Sequence, residues 1–395
     1  MLLTVLHPTY DLGILTTRVQ QDDSDYWPND SWRVASLQEQ DMNVQRIERL
    51  ESQIEDGSGV YSLLIVRNGY IVYENYRQGK RIDSLNHIFS CTKSFTSALI
   101  GIAVREGLIG SIDDTILSYF PNWTIENIDE RKESLTIRHF LTMTTGLDWN
   151  EHNISYTSPD NMVNRMLASP NPAKFVLDLR MVMDPGEVHV YSTGASQVLA
   201  ALIREVTGMR ASSFAQEYLF EPLSISETDW AVVNGDTNVG GSQLYMRSRD
   251  MARFGYLYLK NGSWNNEQII PATYVQESKS AAISTNWYLD YGLHWWVNDV
   301  YGYFCALGSQ GQGIFIDPRY DLLMVVTGNS DSIPMEHYFE GFVRRAAIEG
   351  YREEEVEETG TLDSRVVMFS VIAVAGGLSI LLVISYPAIR RDREK

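Results

Sequence analysis

Short runs rich in β-branched and aromatic residues predict strands toward both ends of the main part of the chain. Residues 61–67 and 70–76 are two such runs, and Asn68 and Gly69 lie between them. Asn-Gly between β-rich runs predicts a tight hairpin, because both residues tolerate the positive φ angles of that turn. Three later runs predict further strands at 302–306, 313–317 and 322–327.

The middle of the chain has apolar residues at helical spacing. After Ser90, the residues Phe95, Leu99, Ile102 and Ala103 follow this spacing, since positions three or four apart share a helix face. The same period predicts helices at 44–54, 137–144, 162–167, 196–207, 212–218 and 248–260, and a closing helix at 335–349.

Strands on both sides of a helical middle must join into one sheet to bury their apolar faces. The sequence therefore predicts an α+β fold, in which a mostly antiparallel sheet is flanked by helices and carries an inserted helical lobe. The cleft between the sheet and the lobe is the expected binding site. This domain is assigned to residues 42–350, after an irregular polar leader at 1–41.

The end of the chain has a different pattern, because residues 366–386 are 21 residues without a charge. As a helix they would extend about 31 Å, enough to cross a bilayer. The pattern predicts a transmembrane helix at 366–387, between an acidic linker at 351–365 and a basic tail at 388–395.

The basic tail predicts a single-pass cell-membrane protein with its main domain outside the cytoplasm. Residues 1–6 are too short an apolar run for a signal peptide. An outside domain therefore requires a start farther upstream, and a cytosolic domain with a C-terminal anchor is the alternative.

Composition narrows the classes of function. The net charge of −19 argues against nucleic acid as a partner, because phosphate contacts need a basic surface. The two cysteines, Cys91 and Cys305, make no disulfide framework. The seven histidines show no paired metal-binding spacing, so no metal or other cofactor is expected.

Ser90 and Lys93 form a Ser-x-x-Lys box at the start of a predicted helix. Of the seven lysines, only Lys93 has a serine three residues before it, and this spacing lets the hydroxyl and the amine meet. A serine is a weak nucleophile until a base removes its proton, and burial can lower a lysine pKa enough for that task. A helix with a surface lysine is the alternative, because the box alone often arises by chance.

Five segments occur in a characteristic order: 89–95, 135–147, 185–192, 249–255 and 308–312. In these segments the chain resembles the serine β-lactamase and penicillin-binding-protein superfamily. More narrowly, it resembles the class C-like serine hydrolases that include esterases and 6-aminohexanoate-dimer hydrolase. The resemblance covers residues 42–350 and implies a β-lactamase/transpeptidase-like fold.

Tyr191 begins a Tyr-Ser-Thr run that corresponds to a Tyr-x-Asn element of the resembled family. The resemblance implies that Tyr191 works with Lys93 to deprotonate the nucleophile and gives a proton to the leaving group. The third position is Thr193, which takes the place of an asparagine that contacts substrate. A core tyrosine with a bonded hydroxyl is the alternative for Tyr191.

Gly308, Ser309 and Gln310 belong to a Gly-Ser-Gln-Gly-Gln segment that the resemblance places on the opposite wall of the site. It implies that the N–H groups of Ser309 and Ser90 form an oxyanion hole, and that Gln310 stands where relatives often have histidine. A simple Gly-rich hairpin turn is the alternative.

Penicillin-binding proteins carry Lys-Thr-Gly on that wall, whereas this chain has no lysine between residues 279 and 395. That cation normally holds the carboxylate of a β-lactam or a peptide terminus. Its absence disfavours β-lactamase and D,D-peptidase activity, which remain alternatives, and favours small esters or amides that lack the carboxylate.

The sequence therefore predicts a membrane-anchored serine hydrolase that acts through an acyl-serine intermediate. A non-catalytic binding protein that retains the fold is the rival from another class.

His87 and His139 are assigned structural roles, because a Ser-His-Asp triad would need a Gly-x-Ser-x-Gly elbow. Five aromatic residues are candidates for the cleft wall, with core packing as the alternative: Trp149, Tyr156, Trp287, Trp295 and Trp296.

Overall fold

The computed structural model describes residues 26–29, 31–54 and 57–350. The described strands are β1 Arg33–Val34, β2 Val60–Arg67, β3 Tyr70–Tyr76, β4 Asn86–His87, β5 Asp229–Trp230, β6 Val232–Val233, β7 Thr237–Asn238, β8 Leu244–Met246, β9 Ser263–Trp264, β10 Glu267–Gln268, β11 Asp290–Tyr291, β12 Trp296–Asn298, β13 Tyr303–Gly308, β14 Gln312–Asp317 and β15 Leu322–Gly328.

The described α-helices are α1 Val44–Gln53, α2 Thr92–Arg105, α3 Glu130–Glu133, α4 Ile137–Leu141, α5 Met162–Ala168, α6 Pro172–Leu177, α7 Thr193–Thr207, α8 Ala211–Ala215, α9 Ser248–Leu259, α10 Ala272–Ser278 and α11 Met335–His337. A π-helical turn at Gln216–Phe220 extends α8. Another at Tyr338–Val343 extends α11, and the helix then continues through 344–350.

An eight-stranded sheet forms the centre of the domain, in the order β1-β3-β2-β15-β14-β13-β12-β11. Every neighbouring pair is antiparallel except β1 beside β3. The predicted Asn-Gly hairpin is confirmed as β2 and β3, and Asn68 and Gly69 both have positive φ angles. The first and last parts of the domain therefore meet in one sheet, as the strand pattern predicted.

Side chains on alternate positions of the strands pack into two hydrophobic layers. In β15, Leu323 and Val325 face the layer that contains α2 and α9, while Leu322, Met324 and Val326 face the layer of α1 and the closing helix. Successive strand residues point to opposite faces, so a sheet covered on both sides has continuous apolar strands. This explains why 322–326 is an uninterrupted apolar run in the sequence.

The helical middle of the chain packs around α7, which contacts α2, α4, α5, α6 and α8. Ser192 caps α7 by accepting a hydrogen bond from the Ala195 N–H, and Gly208 ends it in the left-handed conformation. The predicted helix at 196–207 thus begins three residues earlier than its apolar period indicated. This α+β domain agrees with the predicted sheet, flanking helices and inserted lobe.

The predicted membrane-spanning helix, and with it the single-pass placement in a cell membrane, is corrected. Within 26–29, 31–54 and 57–350, no helix is both long and apolar enough to cross a membrane. Thr193–Thr207 has 15 residues, about 22 Å against roughly 30 Å of hydrocarbon, and its apolar side is covered by the core. The stretch at 366–387 lies outside the described residues, as do the linker and the tail.

Candidate active site

Ser90 lies in a single 3-10 turn, Phe89–Cys91, directly before α2. Phe89 has a φ of 46°, a left-handed conformation that costs energy for a bulky residue and is held only by its surroundings. Its ring packs against the His87 ring in a tilted arrangement, with 3.8 Å between centroids. His87 Nε2 in turn accepts a hydrogen bond from the Gln243 N–H at 3.1 Å, so His87 supports the turn that presents Ser90.

Lys93 is buried in the first turn of α2, with 2% of its surface exposed. Its Nζ lies 3.1 Å from Ser90 Oγ, 3.2 Å from Thr193 Oγ1 and 2.9 Å from the Gly241 carbonyl oxygen. Burial lowers the Lys93 pKa to about 8, against a smaller raising effect of Glu151. At pH 7 about a tenth of Lys93 is therefore a neutral amine, far more than for an ordinary lysine, and this is the form that can accept the Ser90 proton.

Thr193 and Glu151 lie behind Lys93 rather than in the cleft. Thr193 is 5% exposed and Glu151 is 1% exposed. Thr193 Oγ1 donates to Glu151 Oε1 at 3.0 Å and contacts Lys93 Nζ on its other side. Thr193 thus lies next to the lysine, and the structure does not place it among the residues that line the cleft.

Tyr191 lies over Lys93 and lines the cleft. Lys93 Nζ is 4.8 Å from the centroid of the Tyr191 ring. Burial raises the Tyr191 pKa strongly, the charge of Glu151 raises it further, and a hydrogen bond with Ser90 lowers it. The phenol is therefore protonated at neutral pH and can donate a proton toward an atom held near Ser90.

The end of β13 approaches the Ser90 turn closely enough to form the second wall. A Cβ on Gly308 would lie 2.5 Å from the Ile88 carbonyl oxygen and 3.1 Å from the Ser90 nitrogen. Only glycine permits this approach. The next residue, Ser309, lines the cleft together with Ser90. Gln310 is exposed in the following turn, its N–H donates to Asp331, and it is not among the cleft-lining residues.

A cleft of about 860 Å³ opens in front of Ser90. Two histidines, His152 and His189, line the cleft. Burial lowers the pKa of His189 to about 4, so its ring is neutral at neutral pH. Among the described residues that line the cleft there is no lysine or arginine. Besides Ser90, Gly308 and Ser309, its polar and aromatic wall includes His152, Tyr156, His189, Tyr191, Trp287, Trp296, Asp331 and Glu336.

Three of the five aromatic candidates, Tyr156, Trp287 and Trp296, line this cleft. Trp295 is instead in the core, where it packs against Phe254. Trp149 is also buried and donates from Nε1 to Glu151 at 2.8 Å.

His139 forms a capping box with Thr136 at the start of α4, which is a structural role of the predicted kind. Glu151, His152 and His189 were missed by the sequence analysis. They occupy loops without periodicity, where no local pattern indicates what they contact.

Comparisons with known proteins give relatives of this chain in sequence and in fold. The Beta-lactamase family model matches residues 47–347. The 6-aminohexanoate-dimer hydrolase of Paenarthrobacter ureafaciens is 25% identical over 305 residues, which is 71% of this chain and 75% of that protein.

Two solved structures share the fold at lower identity. The octameric penicillin-binding protein homologue from Pyrococcus abyssi has a TM-score of 0.63 and 19% identity, over 79% of this chain and 81% of its own. EstCE1, a hydrolase with promiscuous acyltransferase activity, has a TM-score of 0.63 and 16% identity, over 77% of this chain and 97% of its own.

Proposed function

This chain is a serine hydrolase of the beta-lactamase family, and we propose that it cleaves a small ester or amide through an acyl-enzyme on Ser90. The observation that carries the proposal is the buried Lys93 amine, 3.1 Å from the Ser90 hydroxyl at the floor of an open cleft. A base of lowered pKa in contact with a serine is the arrangement that nucleophilic catalysis needs.

In the proposed reaction, Ser90 Oγ attacks the substrate carbonyl carbon while Lys93 Nζ accepts the hydroxyl proton. The N–H groups of Ser90 and Ser309 stabilise the oxyanion that forms. When the bond to the leaving group breaks, the Tyr191 phenol protonates that group and is reprotonated from the Lys93 ammonium. Water then attacks the acyl-Ser90 ester and gives a proton to the neutral Lys93 amine. As the bond between the acyl carbon and Ser90 Oγ breaks, that proton passes to Ser90 Oγ, so the acid product leaves and the free serine and neutral amine are restored.

The cleft wall supports substrates that lack a carboxylate near the scissile bond. Its described charged residues, Asp331 and Glu336, are both acidic, so they repel an anionic substrate group. Trp287 and Trp296 meet edge-to-face at 4.8 Å and offer apolar surface to an acyl chain or an aromatic group. We therefore expect neutral esters and amides to be better substrates than penicillins or peptides that end in D-alanine.

The test is to compare initial rates of the purified protein on p-nitrophenyl butyrate, the matching p-nitroanilide and a chromogenic cephalosporin. We expect ester and anilide hydrolysis with a kcat/KM well above that for the cephalosporin, and loss of all rates in Ser90→Ala. Equal or faster cephalosporin turnover would contradict the substrate assignment. Ester hydrolysis that persists in a folded Ser90→Ala protein would contradict the mechanism.

A further inference from the structure

Glu151 is a buried carboxylate that the proposed reaction does not use. In the described part of the chain it accepts hydrogen bonds from Trp149 Nε1 at 2.8 Å, the Tyr156 hydroxyl at 2.8 Å, the Thr193 N–H at 2.6 Å and the Thr193 hydroxyl at 3.0 Å. Buried carboxylates are costly unless they are paired or fully hydrogen-bonded. These four donors are uncharged, and the cation that Glu151 interacts with is Lys93, on the far side of Thr193.

The hydrogen-bond directions around Thr193 follow from the chemistry of its neighbours. An ionised carboxylate can only accept, so the Thr193 hydroxyl must direct its proton to Glu151. The lone pairs of Thr193 Oγ1 are then left for Lys93 Nζ, 3.2 Å away. Lys93 must therefore be the donor in that contact.

The same reasoning fixes the orientation of the Lys93 amine. A neutral amine has two N–H bonds and one lone pair. The Gly241 carbonyl, at 2.9 Å, accepts one N–H, and Thr193 Oγ1 accepts the other. The remaining neighbour of Nζ is Ser90 Oγ at 3.1 Å, so the lone pair points at the Ser90 hydroxyl.

We propose that Glu151 and Thr193 are positioning residues that orient the Lys93 amine so that its lone pair faces Ser90. Glu151 fixes the direction of the Thr193 hydroxyl, and Thr193 and Gly241 together occupy both N–H bonds of the amine. This inference rests on the proposed role of Lys93 as the base for Ser90. It gives Thr193 a different task from the substrate contact that its position in the sequence implied.

Four titratable groups act on or surround Lys93. Glu151 and Cys91 raise its pKa, and the ring of Tyr191 lies against the amine. His294 feels the Lys93 charge, and burial lowers the His294 pKa to about 3, so it stays neutral. Glu151 is thus the group whose charge Lys93 responds to most, after burial itself.

A purely structural role is the competing explanation, because Glu151 also accepts the first N–H of α7. An acceptor at a helix N-terminus stabilises the helix without any part in the reaction. The structural role predicts lost stability with an unchanged pH profile. The positioning role predicts changes in kcat and in the pH dependence that a loss of stability would not produce.

The experiment measures kcat, KM and the pH profile of p-nitrophenyl butyrate hydrolysis, together with thermal unfolding, for Thr193→Val, Thr193→Ser and Glu151→Gln. Thr207→Val is the matched control, since it removes a partly buried threonine hydroxyl that donates to the Ile203 carbonyl oxygen at the far end of the same helix. Thr193→Val should lower kcat about 100-fold with little change in KM, the scale of a disabled general base. Thr193→Ser should restore most of the loss, and Thr207→Val should retain the wild-type kcat.

Glu151→Gln is the more specific test, because it should change both kcat and the pH midpoint. Trp149 Nε1 and the Thr193 N–H both need an acceptor, so the introduced amide should turn its oxygen to them and its NH2 to the Thr193 hydroxyl. That hydroxyl would then direct its proton at Lys93 and compete for the lone pair. We expect kcat to fall by at least about tenfold. The midpoint of the kcat/KM profile should move about one unit to lower pH, because the charge that raises the Lys93 pKa is gone.

The inference is contradicted if folded Thr193→Val and Glu151→Gln proteins keep kcat within about twofold and leave the pH midpoint in place. It is equally contradicted if Thr193→Ser is as impaired as Thr193→Val. Either result leaves the proposed function intact as long as the wild type shows Ser90-dependent hydrolysis. A wild type without such hydrolysis would instead remove the proposed function itself.

Discussion

Two lysines of this domain are buried, and their surroundings differ in a way that separates catalysis from structure. Lys132 in α3 is fully buried and donates to the carbonyl oxygens of Glu126 at 2.7 Å and Leu177 at 2.9 Å. Lys93 in α2 contacts a carbonyl and two hydroxyls, one of them Ser90. Burial lowers the pKa of both lysines.

The comparison shows that burial alone does not make a lysine a base. Lys132 faces the backbone carbonyls of Glu126 and Leu177, which can accept hydrogen bonds but have no proton to give, and neither of these residues lines the cleft. Lys93 faces a hydroxyl whose proton it can take, at a cleft that a substrate can enter. The chemistry therefore depends on what the amine touches, while the lowered pKa makes it available.

The largest expected effect on kcat comes from replacing each of the two lysines by methionine. Lys93→Met should lower kcat about 10⁴-fold, because general-base catalysis is lost. Lys132→Met should leave kcat unchanged but lower the free energy of unfolding by about 3 kcal/mol, because two buried hydrogen bonds to a charged group are lost. Urea unfolding and ester hydrolysis measure the two effects. If a folded Lys132→Met protein loses kcat as Lys93→Met does, the distinction between the two sites is wrong.

The second prediction concerns the end of β13, where Gly308 and Ser309 form the second wall of the cleft at Ser90. Lys93 has such a wall beside it, and Lys132 does not. In Gly308→Ala, the new methyl group would meet the Ile88 carbonyl at 2.5 Å and push the strand end away from Ser90. We expect kcat to fall about 100-fold, the scale of a lost oxyanion donor. Ser309→Ala is the matched control and should keep kcat, because only the Ser309 backbone N–H is used. A large loss in Ser309→Ala would assign the role to its hydroxyl instead.

The third prediction is the pH dependence that the Lys93 surroundings impose. Activity requires the neutral amine, and the Lys93 pKa is lowered to about 8. Below that pH, kcat/KM should rise about tenfold per unit and then level off above it, as protonation of a single base predicts. Lys132 should contribute nothing to this profile, so Lys132→Met should retain the same midpoint. A flat profile between about pH 6 and pH 8, the range in which the neutral fraction of such an amine should rise, would exclude Lys93 as the base.

The smallest effect is expected at the cleft mouth, away from both lysines. Trp287 is 49% exposed and meets Trp296 edge-to-face. Trp287→Ala should raise KM a few-fold, roughly the effect of removing part of a hydrophobic contact, and leave kcat unchanged. Steady-state kinetics with esters of increasing acyl length measure this. A fall in kcat without a change in KM would place Trp287 in the chemical step.

Local patterns predicted the parts of this structure that local physics determines. The hairpin at Asn68-Gly69 needs only turn chemistry and β propensity, and the meeting of Ser90 and Lys93 needs only helical spacing. The role of Glu151 could not be predicted in the same way. Its partner Thr193 is 42 residues away in sequence, and the loop that carries Glu151 has no periodicity.

Two predictions from the sequence, the role of Thr193 and the transmembrane helix, differ from what the structure shows. Thr193 lies two residues after Tyr191, where the resembled family has a residue that contacts substrate. In this fold the Thr193 hydroxyl is instead hydrogen-bonded to Lys93 and Glu151. The transmembrane helix was predicted from hydropathy and length at 366–387, whereas none of the described helices meets both requirements.

Mass spectrometry of the intact protein after exposure to a fluorophosphonate tests the central claim most directly. The account predicts one adduct per chain, mapped by peptide analysis to Ser90. It should be absent in Ser90→Ala, form far more slowly in Lys93→Met and form at the wild-type rate in Lys132→Met. An adduct on another residue, its persistence in Ser90→Ala, or no adduct on the folded wild type would contradict the assignment of Ser90 and Lys93 as nucleophile and base.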